Sequence, residues 1–218
     1  MWQPPLSSIK YASFWVYSPR GKSLESEKSQ LLVINYIKKS KPYRDYKTIF
    51  HYGAELVARD SQYASIKSFF GQHDVLVPVP NSAKRRGNEL WPSFELAQGL
   101  LANGLGQRVE PLLERGITVQ KSATAELGQR TTVKEHFDSL KVKELLTPPE
   151  RIMLVDDVIT KGRTIFAAAC KLKAAFPETD IRVFAIVRTK GLVPEIEYIR
   201  EPAVGAVTWT GMDVSREP

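Results

Sequence analysis

The run Leu154-Val155-Asp156-Asp157-Val158-Ile159-Thr160-Lys161-Gly162-Arg163-Thr164 limits what this chain can fold into more than any other part of it. Ile152, Met153, Leu154 and Val155 form an unbroken apolar stretch, as in a strand covered on both faces within a parallel sheet. That strand is expected over 151–158. It ends on two acids, a short Thr/Gly loop follows, and a helix is expected over 164–176. Ile165, Ala168, Ala169, Leu172 and Phe176 fall on one stripe of that helix. The apolar run at 181–187 reads as the next strand. Strand, tight turn, helix and strand make a right-handed crossover unit. The expected fold class is therefore α/β, with a mainly parallel central sheet flanked by helices.

The remaining segments are arranged around this unit. Residues 9–17 alternate enough to be a strand, Ser18-Pro19-Arg20-Gly21 reads as a turn, and a helix is expected over 25–39. Short helices are expected around Ile49, Phe50, Leu56 and Val57, and around Ile66, Phe69 and Phe70. Asp74-Val75-Leu76-Val77-Pro78-Val79-Pro80 reads as a buried strand stopped by prolines. Residues 89–103 carry Leu90, Phe94, Ala97 and Leu101 at helical spacing, and 109–113 read as a strand. The stretch 114–130 is polar, without apolar periodicity, and too long for an ordinary connection. The division expected is an N-terminal elaboration or cap over 1–47, a core over 48–200, and a C-terminal segment over 201–218 serving as a hood or sheet-edge element.

The motif also carries chemistry. Unpaired N–H groups at a helix start, the helix dipole, and the hydroxyls of Thr160 and Thr164 together make an anion cradle, and Gly162 lets backbone approach the ligand closely. Lys161 and Arg163 add positive charge. Adjacent carboxylates would repel a phosphate; Asp156 and Asp157 suit the hydroxyls of a vicinal diol, with Mg²⁺ nearby. A phosphate joined to a diol describes a ribose 5-phosphate.

Composition excludes several other classes. A single cysteine, Cys170, rules out a disulfide framework or a cysteine-rich zinc site, and His51, His73 and His136 lack metal-ligand spacing. Cys170 reads as a small buried hydrophobe, and Trp2, Trp15, Trp91 and Trp209 read as packing residues rather than stacking platforms. No apolar run approaches the roughly 20 residues of a membrane span. The N-terminus does not resemble a secretion signal, so a cytoplasmic protein is expected. With 31 Lys+Arg against 24 Asp+Glu, the net charge of +7 suits a polyanionic partner, a phosphorylated small molecule or nucleic acid.

The motif resembles the phosphoribosyl-pyrophosphate (PRPP) signature of type I phosphoribosyltransferases. Within that superfamily the chain is most similar to the competence-protein ComF family. Val77-Pro78-Val79-Pro80, then Arg86-Gly87-Asn88-Glu89 and Leu96-Ala97, resemble that family's Pro-Val-Pro loop and Arg-Gly-rich helix start. Gln120-Lys121 to Gln129-Arg130, with Phe137 beyond, resembles its mobile-loop region. The resemblance covers about residues 48–190. It implies that Asp156 and Asp157 hold the ribose hydroxyls and that Thr160, Lys161, Gly162, Arg163 and Thr164 hold the 5-phosphate. It further implies that Pro80, Asn81 and Ser82 present backbone to pyrophosphate, with Lys84, Arg85 and Arg86 as charge partners. A flexible loop would close over the site and bring Lys121 and Arg130 to the departing pyrophosphate.

Two departures stand out. ComF relatives carry an N-terminal cysteine-rich zinc element, which a chain with one cysteine lacks. Thr160 stands where purine-salvage relatives carry an acid, and Lys161 replaces a small residue. The activity implied is Mg²⁺-dependent pentosyl transfer from PRPP to an unidentified nucleophile, part of nucleotide metabolism, and superfamily dimers favour a homodimer, with the oligomeric state left open. The alternative is a non-catalytic sensor of PRPP or a nucleotide that regulates a partner or nucleic acid, to which Lys38, Lys39 and Lys41 point.

Overall fold

The computed structural model describes residues 2–84, 87, 89–119, 131–191 and 195–218. Among these, the chain runs β1 (Ser8–Tyr17), α1 (Leu24–Leu31), α2 (Ile49–Arg59), α3 (Ala64–Lys67), β2 (Val75–Pro78) and α4 (Pro92–Ala102). It continues through β3 (Arg108–Val109), β4 (Leu113–Arg115), α5 (Val133–Ser139), β5 (Leu140–Val142) and β6 (Arg151–Ile159). It ends with α6 (Arg163–Ala175), β7 (Asp180–Thr189), β8 (Arg200–Trp209) and β9 (Val214–Glu217).

The main sheet has the order β3-β2-β6-β7-β1-β8-β9. Its pairings from β3 through β1 are all parallel, and β8 and β9 join antiparallel. The chain is thus α/β, with a mainly parallel central sheet flanked by helices. The strand alternation explains the apolar run in β6. Ile152 and Leu154 enter the core cluster that includes Ile165, Phe166 and Ala169 of α6. Met153 and Val155 enter the opposite one, with Phe50 and Val57 of α2 and Leu96 and Leu100 of α4. Each such fully buried large side chain contributes roughly 2 kcal/mol through removal from water. α6 stops before Pro177, because the residue preceding a proline is pushed out of the helical region; Phe176 has φ −130° and ψ 78°.

Several elements differ from the sequence reading. Residues 1–47 are more than a cap, since β1 lies inside the sheet between β7 and β8. Its residues Tyr11 to Val16 are all buried, Ser13 included, and that polar interruption hides a two-sided strand. Residues 201–218 supply most of β8 and all of β9, with β9 at the sheet edge. The helix expected over 25–39 is α1 followed by a π-helical turn, Leu32–Ile37. The strand expected over 109–113 divides at Glu110-Pro111-Leu112 into β3, in the main sheet, and β4, which pairs antiparallel with β5.

The polar stretch 114–130 starts inside β4, and its residues 120–130 lie outside the described ones. α5 was missed altogether, although its signal is local. Thr132 accepts from the Glu135 amide while Glu135 accepts from the Thr132 amide, a reciprocal cap readable as Thr-x-x-Glu.

Candidate functional site

Parallel strands place their C-terminal ends along one sheet edge, and β6 carries Asp156 and Asp157 there. The two acids have different surroundings. Asp156 is only 9% exposed, and its Oδ1 accepts from Ser93 Oγ at 3.1 Å and from the Asp157 amide at 2.9 Å. Burial, reinforced by the neighbouring Asp157 carboxylate, pushes the Asp156 carboxyl well above its usual range. Asp157 reaches outward, and its Oδ2 accepts from Lys38 Nζ at 2.7 Å. Burial alone would depress the Lys38 ammonium, but Asp157 outweighs it and the pKa is raised.

Beyond β6 the chain turns at Thr160-Lys161-Gly162 into α6. Gly162 has φ +94°, and a Cβ there would stand 2.8 Å from Val207 Cγ2 on β8. Glycine is therefore required both by the backbone angle and by the neighbouring strand. Having no side chain, it leaves α6 without a side-chain cap, and the first-turn N–H groups have no partner within the helix. A cleft of about 50 Å³ opens here, lined by Asp156 and by residues 158–165. Asp156, Thr160, Lys161, Gly162, Arg163 and Thr164 are thus brought together, while Asp157 is turned towards Lys38.

The loop cations are not free. Arg163 grips Asp213 in a fork, Nε to Oδ1 at 2.8 Å and Nη2 to Oδ2 at 2.6 Å, and Lys161 Nζ donates to the same carboxylate. Asp213 lies in the β8–β9 turn. Burial alone would raise its carboxyl, but hydrogen bonds from Arg163 and Lys161 hold it far below the usual range. This contact accounts for Lys161, whose positive charge answers a carboxylate of the chain itself.

On the other side of the cradle, Thr164 Oγ1 lies 3.5 Å from Nε2 of His136 on α5. His136 is 2% exposed, and its Nδ1 has no hydrogen-bond partner among the described residues. Burial, then the Arg115 and Arg163 charges, push it down to about 4, so the imidazole is neutral at physiological pH.

The loop after β2 leaves the sheet beside β6, where the Val79 amide donates to the Val155 carbonyl at 2.9 Å. Pro80 has no amide to offer. The Asn81 side chain donates to the Leu90 carbonyl at 2.9 Å, and the Asn81 backbone carbonyl accepts from Arg115 Nε at 3.1 Å. The Ser82 carbonyl accepts from the Val119 amide at 2.9 Å, and the Lys84 amide donates to Thr118 Oγ1 at 3.2 Å. A cavity of about 400 Å³ lies against this loop, with Pro80, Asn81, Lys84, Trp91, Arg115 and Lys143 in its walls.

Trp91 is a wall and a packing residue at once, since its indole N–H donates to the Val79 carbonyl and its ring stacks on Phe94 at 5.3 Å. Arg115 is 4% exposed, donates from Nη1 to Ser139 Oγ at 2.5 Å, and leaves Nη2 without a partner among the described residues. Burial pushes its guanidinium down to about 10, against the pull of Asp156, and it stays cationic at neutral pH. Arg85, Arg86, Lys121 and Arg130 lie outside the described residues.

Sequence reasoning therefore missed Lys38, Ser93, Arg115, His136 and Asp213 as members of this site. Each comes from an element distant in sequence, and none sits in a recognisable spacing. Cys170 is fully buried, and burial pushes its thiol up to about 11, which makes it chemically inert. Among the described residues no helix is long and apolar enough to cross a membrane.

No family model and no curated protein matches the chain. Among solved structures, it is similar to a hypoxanthine phosphoribosyltransferase from Staphylococcus aureus in a tetragonal crystal form. That likeness has 11% identity and a TM-score of 0.41, covering 68% of this chain and 71% of that one. The orthorhombic form of the same enzyme gives 12% identity and a TM-score of 0.34, covering 68% of this chain and 72% of that one.

Proposed function

We propose that the chain is a type I phosphoribosyltransferase of the ComF kind, binding PRPP and transferring its phosphoribosyl group to a nucleophile with release of pyrophosphate. The observation that supports this reading is a single cleft. It joins a buried carboxylate at a strand tip to an uncapped helix start lined with Thr160 and Thr164. The first-turn amides and both hydroxyls take the 5-phosphate, and the strand-tip acids take the sugar hydroxyls.

In the transfer, the bond between the anomeric carbon and the pyrophosphate oxygen breaks. Its electron pair leaves on pyrophosphate, and the nucleophile's lone pair forms the new bond. Arg115, fixed by Asn81 and Ser139, together with Lys84 and Lys143, lines the cavity against the loop where that charge would collect.

The described side chains do not fit a divalent ion held by the protein itself. Among them no group of three or more His, Cys, Asp or Glu could hold one, and Asp157 is already paired with Lys38. Mg²⁺ accordingly enters this reading only as part of the substrate, chelated by pyrophosphate.

Titration calorimetry with PRPP and Mg²⁺ is the direct test. Saturable binding is expected, weakened about 100-fold in the Asp156→Asn/Asp157→Asn double variant through loss of charge-assisted hydrogen bonds. Because burial disfavours the Asp156 charge, this variant is expected to stay folded. Absent binding, or binding unchanged in the double variant, would overturn the reading. Pyrophosphate release across a panel of nucleobases and amines then separates an enzyme from a sensor built on the same pocket.

A further inference from the structure

Lys38 lies 119 residues from Asp157 in sequence and meets it at 2.7 Å. Its backbone is held in place for that contact. It follows the π-helical turn Leu32–Ile37, in which Val33 and Ile37 are buried in the core, and its amide donates to the Val33 carbonyl at 2.9 Å, five residues back. One extra residue in a turn rotates everything after it by about 100° relative to an unbroken α-helix. The wide turn therefore sets the direction from which Lys38 leaves the helix. A costlier backbone geometry directly before a cross-chain ion pair at a strand tip is a positioning device.

Lys38 offsets one of the two acids at that tip without any ion. Asp156 is enclosed and receives two hydrogen bonds on Oδ1. Asp157 carries the accessible negative charge, and the Lys38 ammonium sits on it. We propose that Lys38 is a positioning residue of this site, a resident counter-cation that keeps divalent metal off the twin carboxylates and leaves them as a metal-free clamp for a sugar diol. The diol part rests on the phosphoribosyltransferase reading; the exclusion of metal does not. The ammonium has three donors and spends one on Asp157, so two remain for a ligand held at the clamp.

The test uses Mn²⁺ alone as its first probe, with free ion followed by electron paramagnetic resonance. Wild type is expected to bind Mn²⁺ weakly at these acids. Lys38→Met should bind it at least ~10-fold more tightly, Lys38→Met/Asp157→Asn should return to the wild-type level, and Lys38→Arg should behave as wild type. The Lys38 side chain is 53% exposed, so these substitutions leave the core intact.

The second arm measures ribose 5-phosphate, which lacks the chelating pyrophosphate, in EDTA and in Mg²⁺. Wild-type affinity should differ by less than ~2-fold between the two, whereas Lys38→Met should require Mg²⁺. Mn²⁺ binding that is equal in wild type and Lys38→Met, or that stays as tight in Lys38→Met/Asp157→Asn as in Lys38→Met, overturns the proposal. If ribose 5-phosphate binds neither protein while the Mn²⁺ arm succeeds, the phosphoribosyltransferase reading fails and the role of Lys38 in excluding metal stands.

Discussion

The strand tip and the helix mouth answer each other with opposite signs. At the tip, two acids face one lysine brought from the N-terminal segment. At the mouth, two cations, Lys161 and Arg163, face one acid brought from the C-terminal hairpin. Each half thus offsets one charge internally and keeps one in excess, an acid at the tip and a cation at the mouth, and both terminal segments belong to the site rather than decorate it.

The halves differ in cost. Asp156 at the tip is 9% exposed and tied to Ser93, so its arrangement is expensive to change. The mouth is open, with Lys161 51% and Asp213 27% exposed at their side chains, and solvent screens its pairs. Under the proposed phosphoribosyltransferase reading, the rigid end would select the sugar and the soft end would exchange an internal carboxylate for an external phosphate.

The change expected to harm the mouth most is Gly162→Ala. It puts a Cβ at φ +94° and 2.8 Å from a β-branched side chain that is stiff at χ1. A cost of about 2–4 kcal/mol is expected from the backbone angle and the clash together. Thermal or urea unfolding measures it. Pairing Gly162→Ala with Val207→Ala, which clears the clash but leaves the angle, should recover part of the loss. Full recovery would mean that the left-handed angle costs nothing, and a loss below about 0.5 kcal/mol would mean that the backbone at Gly162 and Val207 gives way to the added methyl.

The local half of this geometry was legible in the sequence because it is contiguous. An apolar run, two acids, a Thr/Gly loop and a helix stripe all fall within 152–176, where period and turn chemistry act without tertiary help. The charge partners were not legible. Lys38 reads as one of several lysines at a helix end, and nothing in its neighbourhood announces a π-helical turn. Asp213 sits in a short hairpin turn, where an aspartate is ordinary. β1 was read as a strand, but its place between β7 and β8 is a long-range pairing that no local pattern encodes. α5 is the instructive miss, since its Thr132/Glu135 cap was readable, yet it followed a polar stretch that read as loop throughout.

His136 sharpens the comparison from the side of the mouth. Burial beside Arg115 and Arg163 holds it at about 4 in the folded chain against an ordinary value near 6.5. As pH falls below about 6.5 the unfolded chain takes up a proton that the folded chain refuses until about 4. Unfolding free energy therefore drops across that window, by roughly 3 kcal/mol or less. Asp156, raised in the folded state, works in the opposite direction, so the readout is the difference between wild type and His136→Gln. Denaturant melts between pH 4 and 7 should give a shallower acid loss in the variant. Equal slopes would place a compensating acid against the imidazole and remove His136 from the charge account of the mouth.

The smallest expected effect is the most discriminating. Asp213→Asn removes the carboxylate shared by Lys161 and Arg163, two partly exposed pairs worth about 1 kcal/mol together. Stability should fall by about that much. Binding should move the other way, because the cations released at the uncapped start of α6 now favour an external anion. Inorganic phosphate should bind severalfold more tightly, with a steeper dependence on ionic strength than in wild type. Neutralising acids then has opposite consequences at the two ends: Asp213→Asn strengthens anion binding, whereas Asp156→Asn/Asp157→Asn weakens binding of the sugar. If Asp213→Asn instead weakens phosphate binding, Asp213 holds Lys161 and Arg163 in their working positions, and the mouth is as rigid as the tip.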